Sequence, residues 1–573
     1  MPYPPESELS GIHDPAVHPV VWYCRVVRID PVGPGRRVLL NVGAVDYRAE
    51  VWVNGSLVVR HEGGHTPFHA DITDALNPTG DQVVVVRDED PVDDPAQPRG
   101  KQDWRPEPHD IWYHRTTGIW QPVWWEVVGD RHLTRLDWTA DLVRGQVTLE
   151  AELSGMPVEG TRLEVRLTRP DRVVAEAVVR VGTSTAVCVL ELPEARHGQD
   201  LGDLLWTPEH PNLLDARVAL VAPDGTVLDE ATSYVGYRSA GVGDGRFVLN
   251  GRPYYLRLVL EQGYWPQSHL AAPDEDALRA EIEAVKSLGF NGVRIHQKIE
   301  DPRFLAWCDR LGLLVWAEMP SAYAFNPTAV LRVVQEWTEA VRRDRSHPCV
   351  VTWVPLNESW GVETIADTPA HRDYATALYH LTKALDPTRP VIANDGWEHT
   401  RSDILGVHDY APRGELLTER YRDPGAIDRA VGDRSPGGRR VLLEGERDRS
   451  RPVVLSEFGG LSLTPAEGQQ WFGYATVQTA DEYLERFAGL VDALLDNPEI
   501  AGFCYTQLTD TEQERNGLLA ADRTPKLDPE RVHAIVTRPA RAVPSEEVEA
   551  GRTATLRRWA SGTRPPGRPN VSR

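Results

Sequence analysis

Residues 291–320 read NGVRIHQKIEDPRFLAWCDRLGLLVWAEMP, and they indicate how the longest part of the chain is built. A short apolar run is followed by a helical pattern and then by a second apolar run, which is typical of a β–α–β unit. The same alternation extends from PYYLRLVL at 253–260 to AGFCYTQLTD at 501–510. Eight such apolar runs separated by helical segments predict a (β/α)8 TIM barrel, which we assign to residues 241–545.

Two β-rich units are predicted ahead of the barrel. VVWYCRVVRI at 20–29 and YRAEVWVNGSLVV at 47–59 alternate with a period of two, which predicts a jelly-roll β-sandwich over 1–130. A second series of short strands over 131–240 has the spacing of an immunoglobulin-like β-sandwich. The segment 546–573 is basic and rich in Arg, Pro and Gly, and we expect it to be a disordered tail.

The composition narrows the class of partner. The 573 residues include 62 Lys and Arg against 85 Asp and Glu, which gives a net charge of −23. Such a surface repels phosphate backbones and anionic lipid headgroups, so we expect neither nucleic acid nor membrane as a partner. The 18 Trp are twice as numerous as the 9 Phe. Because a Trp ring stacks well on a sugar, this excess favours a carbohydrate ligand.

The chain shows the signs of a cytoplasmic protein. Its 5 cysteines are scattered without a CxxC pair, which predicts mostly buried free thiols rather than disulfides. MPYPPESELS at the N-terminus lacks the basic segment and apolar run of a signal peptide. No apolar stretch reaches the length of about 18 residues needed to span a bilayer.

One motif imitates a metal site. His61 and His65 lie in HEGGH, which matches the HExxH pattern of zinc proteases. That pattern needs a helix to bring both imidazoles to one face, and two glycines followed by Pro67 disfavour a helix. We therefore predict no metal and no cofactor.

Two glutamates are the strongest catalytic candidates. Glu358 ends VVTWVPLNE and Glu457 lies in PVVLSEFGG, so each follows an apolar run at the carboxyl end of a predicted barrel strand. Active sites of such barrels lie at that end. Two carboxylates can divide glycoside cleavage, one protonating the leaving oxygen and the other attacking the anomeric carbon. The alternative is that strand-end glutamates only bind loop amides.

The motifs resemble those of glycoside hydrolase family 2, the β-galactosidase, β-glucuronidase and β-mannosidase group, up to about residue 530. TGIWQPVWWEVV at 117–128 is similar to the end of its sugar-binding jelly roll, and LWTPEHPNLL at 205–214 to a segment of its immunoglobulin-like domain. RDRSHPCVVTWVPLNES at 343–359 resembles the family's acid/base motif, and PVVLSEFGG its nucleophile motif. The resemblance implies an exo-β-glycosidase that acts with retention.

The resemblance also assigns roles to individual residues. It makes Glu358 the acid/base and Glu457 the nucleophile, with carboxyl groups about 5–5.5 Å apart. Asn357 is then expected to bond the sugar 2-OH, and Arg294 to hold the nucleophile ionised. Tyr410 matches, more loosely, the tyrosine that supports the nucleophile.

Other candidates remain open between two interpretations. His296, Glu318 and His408 fall near strand ends, where they either contact the glycone or hydrogen-bond within the barrel. Trp360 and Trp471 lie in barrel loops, where they could form a sugar platform. Trp104 lies in the segment 98–113, which either narrows the barrel mouth or packs between domains. We expect the tryptophans of sandwich strands to lie in the core: Trp22, Trp52, Trp124 and Trp125.

The sugar is less well defined than the reaction. The Asn-x-Lys motif that grips the uronate in β-glucuronidases is replaced by Glu514, Arg515 and Asn516, which disfavours a glucuronidase. The first barrel strand, RLVLEQGYWP, also departs from the family's usual sequence. We expect a β-galactosidase, with β-mannosidase, glucosaminidase or furanosidase specificity as alternatives. A transglycosylase, or a non-catalytic carbohydrate-binding protein on the same scaffold, stays possible, as does a homo-oligomer.

Overall fold

The structure, a computed structural model, describes residues 3–197, 201–432, 436–443, 447–464, 471–546 and 548–550. Its first unit is a β-sandwich made of the sheets β1-β7-β4-β5 and β6-β2-β9. Successive residues of β2 and β4 point alternately into the sandwich and away from it. Val38, Leu40 and Val51 point inwards and lie in the core between the sheets. The strands are Val20–Arg28 (β1), Arg36–Val42 (β2), Val45–Asp46 (β3), Arg48–Val53 (β4), Ser56–Glu62 (β5), Phe68–Asp71 (β6), Asp81–Glu89 (β7), Gly118–Ile119 (β8) and Val123–Gly129 (β9).

The second unit is an immunoglobulin-like sandwich. Its sheets have the orders β10-β11-β14 and β13-β12-β15-β16. Alternating residues such as Leu149, Val165 and Val218 point between the sheets and are fully buried. The strands are Leu133–Asp141 (β10), Gln146–Leu153 (β11), Arg162–Arg169 (β12), Arg172–Arg180 (β13), Thr185–Glu191 (β14), Leu214–Val221 (β15) and Val227–Val235 (β16).

The third unit is the (β/α)8 barrel. Its curled parallel sheet has the order β23-β22-β21-β20-β28-β25-β24. The strands of this unit are Ala240–Gly243 (β17), Arg246–Leu249 (β18), Arg252–Pro253 (β19), Leu256–Glu261 (β20), Gly292–Ile295 (β21), Leu314–Glu318 (β22), Val350–Val354 (β23), Leu405–Asp409 (β24), Val453–Gly459 (β25), Leu461–Leu463 (β26), Ala475–Val477 (β27) and Ile500–Thr506 (β28). The barrel strands are buried on both faces, as expected for a sheet covered by helices.

The fifth barrel position departs from the expected regular strand. Residues 390–395 take this place beside β23, but they pair with it only through the bridges Trp353↔Val391 and Asn357↔Asp395. Pro390 has no N–H to donate to a ladder. Ile392 and Asp395 donate backbone N–H groups to Trp353 O and Leu356 O, and Asn394 Oδ1 also accepts the backbone N–H of Ser359.

The barrel helices begin where the sequence supplies caps. Asp274 Oδ1 accepts the N–H of Ala277 at 2.7 Å, and Asn326 Oδ1 accepts the N–H of Ala329 at 2.9 Å. The helices are Glu275–Ser287 (α1), Pro302–Leu311 (α2), Pro327–Asp344 (α3), Pro369–Leu385 (α4), Gly414–Arg420 (α5), Pro424–Gly432 (α6), Ala480–Leu495 (α7) and Pro529–Val536 (α8). None of the described helices is long and apolar enough to cross a membrane.

The prediction that the strand tryptophans lie in the sandwich core is wrong for three of them. Trp22 is 60% exposed, Trp124 45% and Trp125 43%. They lie on β1 and on β9, whose outer faces no other described element covers, while smaller aliphatic side chains fill the interior. Trp22 and Trp52 stack on each other at 5.6 Å instead, with Trp52 half-buried.

The cysteine prediction is confirmed for the described residues, and the tail is only partly described. All 5 cysteines are free, and Cys24 alone among them is exposed. Residues 547 and 551–573 of the expected tail lie outside the described residues. Glu546, placed in that tail, accepts hydrogen bonds from Arg257 under the barrel. The unit boundaries at 130, 240 and 545 stay predictions.

Candidate active site

Glu358 and Glu457 meet at the carboxyl end of the barrel. Glu457 belongs to β25, and Glu358 follows β23 in a left-handed backbone conformation with φ of 50°. One carboxylate oxygen of each lies within 4.8 Å of the other, together with a ring nitrogen of His408. Their side chains are 16% and 6% exposed. The fold therefore brings together two carboxylates from strands distant in sequence, at a separation suited to retention.

Arg294 organises the floor of this site. The side chain comes from β21 and is fully buried. Its Nη1 donates to Glu457 Oε1 at 2.7 Å, and its Nη2 donates to Asn357 Oδ1 at 2.7 Å. Nε and Nη2 both donate to Glu318 Oε2, at 2.9 and 2.7 Å. A planar guanidinium can make all these bonds at once, which a lysine ammonium cannot.

Asn357 keeps a free donor beside the carboxylates. Its Oδ1 is occupied by Arg294, whereas its Nδ2 is buried and has no partner among the described residues. A buried amide N–H without a partner costs about 1–3 kcal/mol. This position of the amide leaves the donor available to a bound molecule.

Tyr410 holds the other oxygen of Glu457. Its hydroxyl donates to Glu457 Oε2, and its ring stacks on Tyr474 with a centroid distance of 3.5 Å. Burial, and then the charge of Glu457, raise the pKa of Tyr410, so the hydroxyl stays protonated and acts as a donor. Glu457 thus accepts one bond on each oxygen.

His408 connects the two glutamates. Its Nδ1 lies 2.7 Å from Glu358 Oε1, and its Nε2 lies 3.4 Å from Glu457 Oε1 and from Asp395 Oδ2. Burial by itself would lower the pKa of His408, but the three carboxylates raise it to about 10. Burial by itself would raise the pKa of Glu358, and the bond to His408 lowers it overall. In the free protein the shared proton therefore lies on His408.

Asp395 completes the buried charge network. It ends the irregular fifth strand position, and its Oδ2 lies 3.2 Å from Arg294 Nη1. Its Oδ1 accepts the hydroxyl of Ser456 at 2.9 Å. Burial opposes its charge, but Arg294 and His408 lower the pKa of Asp395 overall, so it is ionised.

Glu318 and His296 lie behind the mouth rather than in it. Both oxygens of Glu318 are occupied, by Arg294 and by the N–H of Gln297 at 3.0 Å. His296 Nδ1 lies 3.0 Å from Glu318 Oε1, and burial followed by Arg294 lowers the pKa of His296. The described contacts of Glu318 are with Arg294, Gln297 and His296, as in the interpretation of a residue hydrogen-bonded within the barrel.

An aromatic wall borders one side of the mouth. The segment 98–113 of the first unit reaches the barrel, where Trp112 Nε1 donates to Tyr323 Oη at 2.9 Å. Trp104 packs edge-on against Trp112 with ring centroids 5.1 Å apart and is 39% exposed. Trp360, two residues after Glu358, lies 5.7 Å from Trp112. The wall consists of Trp104, His109, Trp112, Tyr323, Trp360 and Trp397.

Trp471 occupies a different place. It is half-buried and comes directly after residues 465–470, which lie outside the described residues. Its neighbour Phe472 packs against Tyr474 with ring centroids 5.3 Å apart. The described ring contacts place Tyr474, rather than Trp471, next to Tyr410.

Sequence reasoning missed Lys101, Asp395 and Tyr474. Lys101 lies in the long aromatic connection after β7, and the carboxylates of Glu358 and Glu457 act on its charge. A signal for Asp395 was present, since it follows an apolar run as the two glutamates do. Lys101 and Tyr474 come from connections whose course the sequence pattern does not predict.

Three clusters in the described residues have the geometry to bind a metal ion. One is the pair of glutamates with His408, and the others are Asp309 with His347 and Cys349, and His114 with His269 and Glu512. In the second cluster Asp309 Oδ2 is already bound to His347 Nδ1 at 2.6 Å. The HEGGH motif is not among them, because β5 ends at Glu62 and no helix forms there.

Comparisons with known families cover all three units. The model for "Glycosyl hydrolases family 2, TIM barrel domain" matches residues 241–537. The model for "Glycosyl hydrolases family 2, sugar binding domain" matches residues 5–93, and "Glycosyl hydrolases family 2" matches residues 131–238.

Individual relatives agree with these matches. A β-galactosidase of Thermoanaerobacter pseudethanolicus is 27% identical over 65% of this chain and 48% of its own length. A β-glucuronidase of Rattus norvegicus is 30% identical over 65% of this chain and 59% of its own. The chain thus spans about half the length of the curated relatives it matches.

A solved structure agrees in fold. The β-galacturonidase of Eisenbergiella tayi bound to galacturonate superposes with a TM-score of 0.71 at 20% identity, covering 94% of this chain and 92% of the other. The barrel model alone matches more than half of the 573 residues. The chain therefore belongs to glycosyl hydrolases family 2.

Proposed function

We propose that this protein is a retaining exo-β-glycosidase that removes a terminal sugar through a covalent glycosyl-enzyme intermediate. The observation that carries the proposal is the pairing of Glu358 and Glu457, whose oxygens approach within 4.8 Å. Inverting enzymes keep their carboxyl groups about 6.5–9.5 Å apart to admit a water molecule, so this pair favours retention.

Glu457 acts as the nucleophile. One of its oxygens attacks the anomeric carbon while the bond from that carbon to the leaving oxygen breaks. Arg294 and Tyr410 each donate to one oxygen of Glu457, so the carboxylate is held in a fixed orientation before the attack.

Glu358 acts as the acid and then as the base. Its proton goes to the leaving oxygen in the first step, and Glu358 takes a proton from the water that hydrolyses the intermediate in the second. In the free protein that proton lies on His408. When the sugar displaces water, the ion pair of protonated His408 and ionised Glu358 loses hydration and becomes costly. The pair of neutral side chains is then favoured, so the proton moves from His408 Nδ1 to Glu358 Oε1.

The glycone is held on the floor of the site. Asn357 Nδ2, which lacks a partner among the described residues, donates to the sugar 2-OH. This bond strengthens as oxocarbenium character develops at the neighbouring anomeric carbon. Trp360 and Trp104 of the aromatic wall offer apolar faces to the sugar or to its leaving group.

The proposed substrate class rests on one relative and on the acid at position 514. A β-galactoside is the first expectation, supported by the relative named β-galactosidase. Glu514 is a buried acid at the place where uronate recognition would need a donor, which disfavours a glucuronide. β-Mannosides, glucosaminides and furanosides are the alternatives within the same mechanism.

A panel of 4-nitrophenyl β-glycosides, in pyranoside and furanoside forms, tests the proposal. The parent protein should release nitrophenol from at least one of them with retention, observed by NMR of the first-formed sugar. Glu457→Gln should lose this activity by at least 10³-fold, while folding stays intact. Activity that survives this substitution contradicts the assigned nucleophile, and inversion of configuration contradicts the mechanism. Sugar binding without any turnover supports the carbohydrate-binding alternative.

A further inference from the structure

Lys101 brings a positive charge from the first unit into the barrel mouth. Its backbone is fixed by docking on the barrel, since the N–H groups of Arg99 and Gly100 both donate to Ser321 O, at 3.2 and 3.1 Å. Gly100 has φ of 59°, and a Cβ there would lie 2.2 Å from Gln297 O. Only glycine allows so close an approach, so the position of Lys101 is set by interdomain packing.

The ammonium group of Lys101 has only an aromatic ring as a partner among the described residues. The residue is 5% exposed, and within the described parts of the chain its Nζ makes no hydrogen bond or ion pair, with the Tyr113 ring centroid 5.8 Å away. Burial lowers the pKa of Lys101, while the carboxylates of Glu514, Glu358 and Glu457 act against that shift. An ammonium enclosed to this degree loses part of its hydration, which costs free energy unless hydrogen-bond partners replace the lost water. This cost indicates that its donors serve a bound molecule.

Glu514 faces the same space and is held rigidly. Its Oε2 accepts the hydroxyl of Tyr113 at 2.5 Å, and its Oε1 accepts Asn516 Nδ2 at 3.1 Å. Asn516 is held in turn by Gln507, which donates to its Oδ1 at 2.7 Å. A carboxylate has about four acceptor sites, so each oxygen of Glu514 can still accept another bond.

We propose that Lys101 and Glu514 form a subsite that binds two neighbouring hydroxyls of a neutral glycone. Lys101 Nζ donates to the oxygen of one hydroxyl, and Glu514 accepts the proton of the other. This proposal depends on the proposed glycosidase function in one respect, namely that the bound sugar turns its anomeric carbon towards Glu457.

The charges around the subsite favour a neutral sugar over a uronate. Arg294 and His408 are already bound to carboxylates, whereas Lys101 forms no ion pair with a described residue. A uronate would place a further negative charge among Glu514, Glu358 and Glu457. A pair of hydroxyls instead uses the donor of Lys101 and the acceptor of Glu514 without adding charge.

The isosteric variants Lys101→Met and Glu514→Gln test the subsite. On the best neutral nitrophenyl glycoside, each should lower kcat/KM by about 10–100-fold, and the double variant should lose less than the product of the two effects. Lys383→Met is the control, because this lysine bonds Asp403 and Arg389 O on the outside of the barrel. It should lower the melting temperature and leave kcat/KM unchanged.

Deoxy substrates separate recognition from folding. An analogue of the best substrate that lacks the contacted hydroxyl should be poor for the parent protein but nearly as good as the full substrate for Lys101→Met. Unchanged discrimination in Lys101→Met overturns the subsite, and so does a parent that prefers uronides over every neutral glycoside.

Binding measurements test the subsite independently of the proposed reaction. If the parent cleaves none of the glycosides, calorimetric titration with galactose, mannose, glucose and glucuronate still tests the subsite. Binding of a neutral sugar that Lys101→Met abolishes supports it even when the catalytic proposal fails. A parent that binds none of these sugars overturns it.

Discussion

His408 Nδ1 lies 2.7 Å from Oε1 of Glu358, and the same imidazole approaches Glu457 at 3.4 Å. One ring therefore contacts both candidate catalytic carboxylates. Because the surrounding acids raise the pKa of His408 to about 10, its charge is present throughout the neutral range. The protonation of Glu358 thus depends on its neighbour as much as on its own burial.

Replacing His408 should move the pH profile. In His408→Asn the pair loses the imidazole that holds the shared proton up to a pKa of about 10, so Glu358 alone must hold it and the alkaline limb of kcat/KM moves to lower pH, by on the order of one unit or more. The measurement is kcat/KM from pH 5 to 10. His380→Asn, on the exposed face of α4, is the control and should keep the parent profile. An alkaline limb that is unshifted or moves to higher pH contradicts the role given to His408.

Replacing Arg294 should damage both activity and stability. Lysine keeps the charge but cannot reach Glu457, Glu318 and Asn357 together, so Arg294→Lys should lower kcat by about 10³-fold and destabilise the fold by about 3 kcal/mol. Denaturant unfolding and kcat measure the two effects. Arg389→Lys is a matched control, because Arg389 is also buried but bonds Asp386 and backbone carbonyls at the opposite end of the barrel. It should lose stability and keep kcat.

Removing the ring of Trp104 tests the aromatic wall. Trp104→Ala should raise KM by about 5–20-fold with a smaller change in kcat, because a packing and stacking surface is lost while the carboxylates stay in place. Trp124→Ala is the control, since Trp124 is similarly exposed but lies on β9, away from the barrel mouth. Equal KM values for the parent and both variants contradict a substrate role for the segment 98–113.

Glu336 predicts a loss of stability at alkaline pH. Burial raises the pKa of Glu336 to about 8, while its Oε1 accepts the N–H of His65 at 2.7 Å. Between pH 4.5 and 8 the folded protein keeps a proton that the unfolded chain loses, so stability falls as pH rises through this window. Glu336→Gln should therefore be more stable than the parent by on the order of 3 kcal/mol at pH 9 and similar to it at pH 5.

The neighbouring Glu339 provides the opposite case. Burial opposes its charge, but bonds from His61 and Thr66 lower the pKa of Glu339 overall. The fold therefore stabilises the ionised form of Glu339 at every pH above the pKa that this group has in the unfolded chain. Glu339→Gln should lower the melting temperature at both pH 5 and pH 9. A parallel response of the two variants contradicts the assignment of Glu336 as a buried acid that resists ionisation.

Local patterns were sufficient for the architecture and for the two glutamates. Apolar runs of the length of a strand, such as 350–358, can be buried in only a few ways, and a residue that directly follows a barrel strand lies at the carboxyl end of the barrel. The strand pattern alone therefore locates Glu358 and Glu457 at that end. The same logic applies to Asp395, which also follows an apolar run.

The tertiary structure decided which charges and rings share the site. Glu318 and His408 follow similar patterns in sequence, yet one lies behind Arg294 and the other contacts Glu358. Lys101 reaches the mouth from another unit because Gly100 can approach Gln297 closely. Trp22 and Trp124 are exposed although they lie in strands, because which face of a strand is covered depends on the partner sheet. Periodicity depends on neighbours in the chain, whereas these contacts depend on how loops far apart in sequence pack together.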